Sequence, residues 1–274
     1  MTDTITLTDA SERLGVHYMT AYRYVRTGRL AAHKAGGQWR VATDDLEHFT
    51  TDETPRAPRT DVLPPLITDR LIAGDENGTH QLLEDAMAAG AAVDEVYLDL
   101  ISPAMTAVGE RWHKGELTIA DEHVASSTAL RIVSRLGSRI AHRGRSRGTI
   151  VLASISGDHH YLPTAMIRDL LRFRGFDVVD LGANTPAESV IERANATGDD
   201  LLAIGLASTT PGAQGIAQAT LAALDDALDV PVVLGGGAFT DADHIRSLGN
   251  CIPSRSARHA LEIFDDIHAK ARAR

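Results

Sequence analysis

Cysteine is nearly absent: Cys251 is the only one in 274 residues. No internal disulfide can form, and nothing calls for an oxidising compartment. Long apolar runs are missing as well. No window approaches the roughly 18 consecutive apolar residues of a membrane span, and the opening MTDTITLTDA lacks the apolar core of a secretory signal. A cytoplasmic protein that stays off the membrane is expected. Basic residues are outnumbered, 27 Lys and Arg against 37 Asp and Glu, a net charge of −10. That excludes a protein that coats nucleic acid along its whole length. Acidic residues are in turn missing from one stretch, residues 13–40, which holds Arg13, Arg23, Arg26, Arg29, Lys34 and Arg40. A basic patch on an acidic chain fits DNA contact confined to one end.

What is present divides into four regions. Residues 1–50 read as a compact winged helix-turn-helix. LTDASERLGV (7–16) opens with Thr8 as a candidate N-cap and ends at Gly15, and HYMTAYRYVRTGRL (17–30) is a second helix stopped by Gly28. Gly36 and Gly37 then sit between two short extended pieces, a hairpin wing. The second helix would offer Thr20, Tyr22, Arg23 and Arg26 to the major groove of double-stranded DNA, and the wing Lys34, Gln38 and Arg40 to phosphate or the minor groove. Trp39 reads as packing beneath the wing. Residues 51–65 carry four prolines and form an extended linker. Residues 66–142 have helical periodicity broken at 77–79, 90–92 and 114–117, which gives a four-helix-bundle cap. Residues 148–274 alternate apolar runs at 149–155, 177–182, 201–208 and 231–236, with a weaker fifth near Cys251, against amphipathic stretches. This is the pattern of a flavodoxin-like or Rossmann-like α/β domain with a parallel sheet.

Ligands of such folds sit beyond the carboxyl ends of the strands. The loop after the first apolar run holds Asp158, His159 and His160. An imidazole two residues from a carboxylate suits a metal ligand with an outer partner: one ring nitrogen faces the metal and the other gives its proton to Asp158. In the cap, Trp112 ends one helix, and Thr118 and Asp121 have capping-box spacing. Glu122 and His123 therefore fall in the first turn of a new helix, whose positive end favours an ionised Glu122. Arg131, Arg135 and Arg139 recur every four residues and read as a solvated face.

Three resemblances attach to these residues. LTDASERLGV, the stretch Thr20 to Arg23, RTGRL and GGQWRV resemble the excisionase-type branch of the MerR-like winged helices. The 158–163 loop resembles the D-x-H-x-x-G motif of base-off, His-on cobalamin domains, with Pro163 in place of the glycine. That resemblance implies His160 as the lower axial ligand to cobalt, tuned by Asp158. It also implies that Ser208 and Gly235-Gly236-Gly237 line a slot for the displaced dimethylbenzimidazole tail, where small residues let backbone come close. Finally, Trp112 with Glu122–His123 keeps the W-x9-E-H spacing of the CarH-like photoreceptor regulators. There the tryptophan packs beside the upper adenosyl group, the glutamate holds its ribose, and the residue matching His113 binds cobalt after light removes that group. Together they imply an adenosylcobalamin-dependent, light-responsive repressor rather than an enzyme. It would assemble on its operator as a homo-oligomer, a tetramer in the family, and come apart when light cleaves the cobalt–carbon bond. A cobalamin-sensing regulator indifferent to light and a corrinoid carrier are the alternatives. A carrier leaves the N-terminal arginines without a use.

Overall fold

The computed structural model describes residues 4–16, 18–26, 30–35, 38–47, 49, 63–139, 144–239 and 241–273. The chain forms two compact units, one holding 1–70 and 77–107, the other 71–76 and 108–274. The expected cap, 66–142, is thus shared between the two units rather than set apart as a body of its own.

In the first unit, a three-stranded antiparallel sheet of β1 (Thr4–Thr6), β2 (His33–Ala35) and β3 (Gln38–Ala42) has β3 at its centre. Helices Leu7–Arg13 and Tyr18–Arg26 accompany it. Leu7, Ala10, Ala21, Tyr24, Val25, Leu30, Val41 and Leu46 form one core, and Trp39 packs against it as expected. Ala35 faces Gln38 across the β2–β3 pair, the register a two-residue hairpin requires; Gly36 and Gly37, and the stop at Gly28, lie outside the described residues. One boundary needs correction. The N-cap of the first helix is Thr6, not Thr8. Thr6 Oγ1 accepts from the Asp9 amide at 3.2 Å, and the Asp9 carboxylate accepts from the Thr6 amide at 3.2 Å, closing a capping box. Gly15, at φ +65°, ends the helix as read.

The linker also ends earlier than expected. Helix Leu63–Ile72 already contains Pro64 and Pro65, which fall in a first turn whose amides have no helical partner to lose. The break foreseen at 77–79 is absent: helix Glu76–Ala88 runs through it with Thr79 and His80 buried, and Gly74 at φ +69° makes the turn instead. The breaks at 90–92 and 114–117 stand. Between them the chain is helical over 93–113, with a π-helical turn at Val96–Ile101.

In the second unit, β4 (Thr149–Ser154), β5 (Asp177–Asp180), β6 (Leu201–Ala207), β7 (Val232–Gly235) and β8 (Ile252–Pro253) form a parallel sheet in the order β5-β4-β6-β7-β8. All five expected runs became strands. The order reverses between β4 and β6, so the crevice beyond their carboxyl ends is the topological switch point, where open α/β sheets bind ligands. Val151, Ala153, Ile204, Leu206 and Leu234 face Val190, Ala217 and Leu221 in one buried core. No helix among the described residues is long and apolar enough to cross a membrane.

Candidate functional site

Three strand ends meet at the switch point. β4 runs out into the loop that carries Asp158 and His160, β6 ends just before Ser208, and β7 ends at Gly235. The loop is pinned from several sides. The Asp158 carbonyl accepts from the Asn184 amide at 2.8 Å, the Gly157 amide donates to Asn184 Oδ1 at 2.8 Å, and Ser154 Oγ donates to the His160 carbonyl at 3.2 Å.

Asp158 is 1% exposed. Its Oδ1 lies 2.7 Å from His160 Nδ1 and accepts from the His160 amide at 2.9 Å; its Oδ2 accepts from the Thr209 amide. Burial pushes the Asp158 carboxyl up, but the hydrogen bonds from the Thr209 amide, the His160 amide and the imidazole overcome it and hold the group at about 2. Asp158 is therefore a carboxylate near neutral pH and can only accept. His160 Nδ1 must then carry the proton, and the neutral ring keeps its lone pair on Nε2. With its side chain 63% exposed, His160 presents that edge outward. The tautomer a metal needs is set by the protein.

Next to this loop, Ser208 follows the end of β6. Ser208 is fully buried, and its Oγ finds no hydrogen-bond partner among the described residues. A buried hydroxyl without a partner is costly and calls for one. Gly236, at φ +113°, lies so close to the Ser208 backbone that a Cβ would come within 2.7 Å of its carbonyl carbon and amide nitrogen. At Gly235 a Cβ would stand 3.1 Å from the Ser254 backbone, while Gly237 faces open space. Gly235 and Gly236 are thus required by close packing of backbone on Ser254 and Ser208. Pro163 occupies the first turn of helix Leu162–Phe173, where no amide partner is lost. The departure from the motif glycine is thus accommodated by the helix itself.

Thr209 is the residue the sequence reading missed. It anchors Asp158 from the far side through its amide, with Oγ1 3.3 Å from Asp158 Oδ2. Any residue has an amide, so only the adjacency of β4 and β6 exposes the role.

The cap residues are placed as follows. Trp112 is 46% exposed near the end of helix Ser102–His113, and His113 beside it is exposed. The Thr118–Asp121 capping box is present, with Asp121 Oδ2 accepting from the Thr118 amide at 2.9 Å, and it starts helix Ile119–Gly137. Glu122 and His123 stand in its first turn, His123 Nε2 lying 3.7 Å from Glu122 Oε2, and Glu122 Oε1 accepts from Ser126 Oγ. Part of the acceptor capacity expected for a ribose is therefore taken locally. Arg131 of the arginine row pairs with Glu76 at 2.7 Å, and further on Arg147 pairs with Asp265 at 2.7 Å and covers the Phe176 ring.

At the N-terminal end, Thr20, Tyr22, Arg23 and Arg26 share helix Tyr18–Arg26, Lys34 lies on β2 and Arg40 on β3. The side chains of Thr20, Arg23, Arg26 and Lys34 lie outside the described residues. Tyr22 is half-buried and stacks with Tyr18, ring centroids 6.4 Å apart. Arg40 is half-buried. After the hydrogen bonds from Thr6, its charge is among the causes that hold the Asp9 carboxyl below its ordinary value.

Comparison with known protein families finds three matched stretches. Residues 4–53 match the helix-turn-helix domain family, and residues 66–136 and 148–263 match two families described as B12 binding domains. Trimethylamine corrinoid protein 1 of Methanosarcina acetivorans is 28% identical over 147 residues, 52% of this chain and 67% of that protein. The methanol–corrinoid protein of Methanosarcina barkeri is 24% identical over 203 residues, 74% of this chain and 78% of that protein. Among solved structures, the monomethylamine corrinoid protein of Methanosarcina barkeri superposes with a TM-score of 0.63 at 19% identity, covering 72% of this chain and 94% of that one; this likeness is one of fold. The chain joins a helix-turn-helix domain to cobalamin-binding domains.

Proposed function

We propose that this chain is a cobalamin-governed DNA-binding regulator, and specifically a light-responsive repressor that uses adenosylcobalamin. The carrying observation is the site at the switch point, in a chain that also bears a helix-turn-helix. A buried, ionised Asp158 fixes His160 with Nε2 outward, beside the unpartnered hydroxyl of Ser208.

The residues divide the work. His160 would hold the lower face of cobalt and Asp158 would orient the ring. Ser208 would donate to or accept from the tail, with Gly236 packed on its backbone. Trp112 offers a plate beside the upper ligand, and Glu122 and His123 offer polar contacts to an adenosyl ribose. His113, next to Trp112, would be a further ligand available to cobalt. Bound adenosylcobalamin would supply a cobalt–carbon bond that visible light breaks. Arg23, Arg26 and Arg40 would contact DNA. Binding one assembly state better than another is how the ligand would act, and linked copies of a small DNA-binding domain gain effective concentration on an operator. A tetramer is the expected assembly.

The similarity to corrinoid proteins supports a second reading, a corrinoid carrier without DNA or light in its function. The two share the His160 site and part at assembly. Size-exclusion runs of the full chain with adenosylcobalamin, in darkness and after green light, separate them. The expected result is a larger species in the dark, only with the adenosyl form, that dissociates on illumination. His113→Ala should leave dark assembly alone and change only the spectrum of the illuminated product. Elution that ignores both cofactor and light overturns the photoreceptor reading. A His160→Ala variant with undiminished affinity and an unchanged cobalt-ligand spectrum overturns the cobalamin site as drawn.

A further inference from the structure

Immediately after His160, the chain enters a polar network of Tyr161, Arg168, Asp169 and Asp180. Tyr161 starts helix Leu162–Phe173, its carbonyl accepting from the Ala165 amide at 3.0 Å and from Thr164 Oγ1 at 2.9 Å. Its hydroxyl donates to Asp180 Oδ2 at 2.8 Å, at the end of β5, and accepts from Arg168 Nη1 at 2.9 Å. The same guanidinium reaches Asp169 Oδ1 from Nε and Nη2, both at 2.9 Å. Asp169 is fully buried and Arg168 mostly so. The Asp169 carboxylate then rests directly on Gly137, so that a Cβ there would lie 2.6 Å from its Cγ. Gly137 closes helix Ile119–Gly137, the helix whose first turn carries Glu122 and His123.

Two costly choices meet here. A buried ion pair is seldom more stable than apolar packing of the same size, and its best-attested use is to fix register. Glycine in a helix is unfavourable relative to alanine, less so at the last residue, where Gly137 stands, and the close approach of a carboxylate requires it. Both serve one contact, between the helix that follows His160 and the helix that carries the upper-face residues.

We propose that Arg168 is a positioning residue for His160: it locks Tyr161 against Asp180 on one side and, through Asp169 on Gly137, sets the His160 loop in register with helix Ile119–Gly137. This rests on the cobalamin reading for the ligand and on the geometry alone for the lock.

Three variants of the full chain test it: Arg168→Met, the double variant Arg168→Met with Asp169→Leu, which removes the Asp169 charge together with the guanidinium and leaves Asp180 to Tyr161 and the Gly182 amide, and Gly137→Ala, which wedges the contact. Without cofactor, hydrogen exchange at residues 158–165 reads the lock directly. All three should exchange faster there than wild type while strand β6 is unchanged. With cob(II)alamin and protein labelled with ¹⁵N-histidine, electron paramagnetic resonance reads the ligand. Wild type should show a two-line splitting from His160. The variants should lose it in part to the three-line splitting of the cofactor's own base, with affinity down by about tenfold, the lower end for loss of a ligand's outer partner. Wild-type exchange in the double variant and in Gly137→Ala would overturn the lock whether or not cobalamin binds. Faster exchange with an undiminished two-line signal and affinity would overturn the positioning of His160 and leave Arg168 a brace of the fold. A wild type that binds cobalamin without histidine splitting would overturn the ligand reading instead, and the positioning of His160 with it.

Discussion

Asp158→Asn should cost the apoprotein stability in a pH-dependent way. The folded Asp158 carboxyl sits at about 2 against an ordinary 3.8. At 1.36 kcal/mol for each pH unit, that difference corresponds to about 2 kcal/mol. The group is 1% exposed, so solvent does little to screen it. Because the folded value lies below the unfolded one, the stabilisation is fully present above pH 3.8. It is lost as pH falls through that window to about 2. Asparagine cannot ionise and shows none of this dependence. It also leaves the Thr209 amide and the His160 imidazole facing a weaker acceptor, a penalty that does not vary over the same range. The stability gap between wild type and variant should therefore be about 2 kcal/mol larger at pH 6 than near pH 2. All other carboxylates titrate alike in both proteins and cancel in the difference. Both tryptophans lie outside the α/β sheet, so hydrogen exchange of the β4 amides across a urea series is the suitable assay. A gap of the same size at both pH values would refute the ionised, hydrogen-bonded Asp158 from which the tautomer of His160 was deduced.

Further outcomes follow from single residues. Gly236→Ala should lower stability by about 2–4 kcal/mol, from a left-handed φ together with the clash against Ser208, and should abolish cobalamin binding; Gly237→Ala, which meets nothing, should melt within a degree or two of wild type. Thr6→Ala should cost about 1 kcal/mol through the lost cap and Thr8→Ala far less; equal melting temperatures would place the cap elsewhere. Arg23→Ala and Arg40→Ala should each weaken operator binding by about 1–3 kcal/mol where they meet a base, or flatten the salt slope where they meet phosphate, with cobalamin affinity unchanged; full binding by the double variant at moderate salt would remove them from the interface.

The fold was legible where local chemistry and the apolar pattern agreed. Apolar runs bounded by turns became β4, β6 and β7 because strands buried on both faces are continuous in apolar character, and the shorter run at 177–182 became the less buried edge strand β5. Thr118 and Asp121 announced the start of a helix through a contact three residues long. Errors arose where two local readings competed. Thr6 and Thr8 are both good caps, and the choice fell to the residue with an aspartate three positions on. Asn77 and Gly78 are breakers by type, yet Gly74 takes the turn, and Thr79 and His80 are drawn into the interior. β1 is three residues long, and its pairing with residues 40–42 is a long-range event that no short window contains.

The candidate site divides along the same line. Asp158 and His160 are two residues apart, so a carboxylate beside an imidazole can be read directly, and so can the glycines that let backbone approach a ligand. What holds the pair in place could not be read. Thr209 reaches Asp158 because β6 lies next to β4, and Tyr161, Arg168, Asp180 and Gly137 meet through three different elements. A parallel sheet brings strand ends together only after long crossovers, so Asn184, Thr209 and Asp180, which brace the His160 loop from other strand ends, are distant in sequence, while Asp158 and His160 are two residues apart. Pro163 shows the consequence. Judged by the motif it replaces a glycine and looks disruptive. Judged by the fold it stands in the first turn of a helix, where it removes no hydrogen bond, and the space a glycine protects lies instead at Gly236 and Gly137, where a side chain would strike Ser208 and Asp169. The pattern of residues thus identifies the chemistry, and the topology decides which of its departures matter.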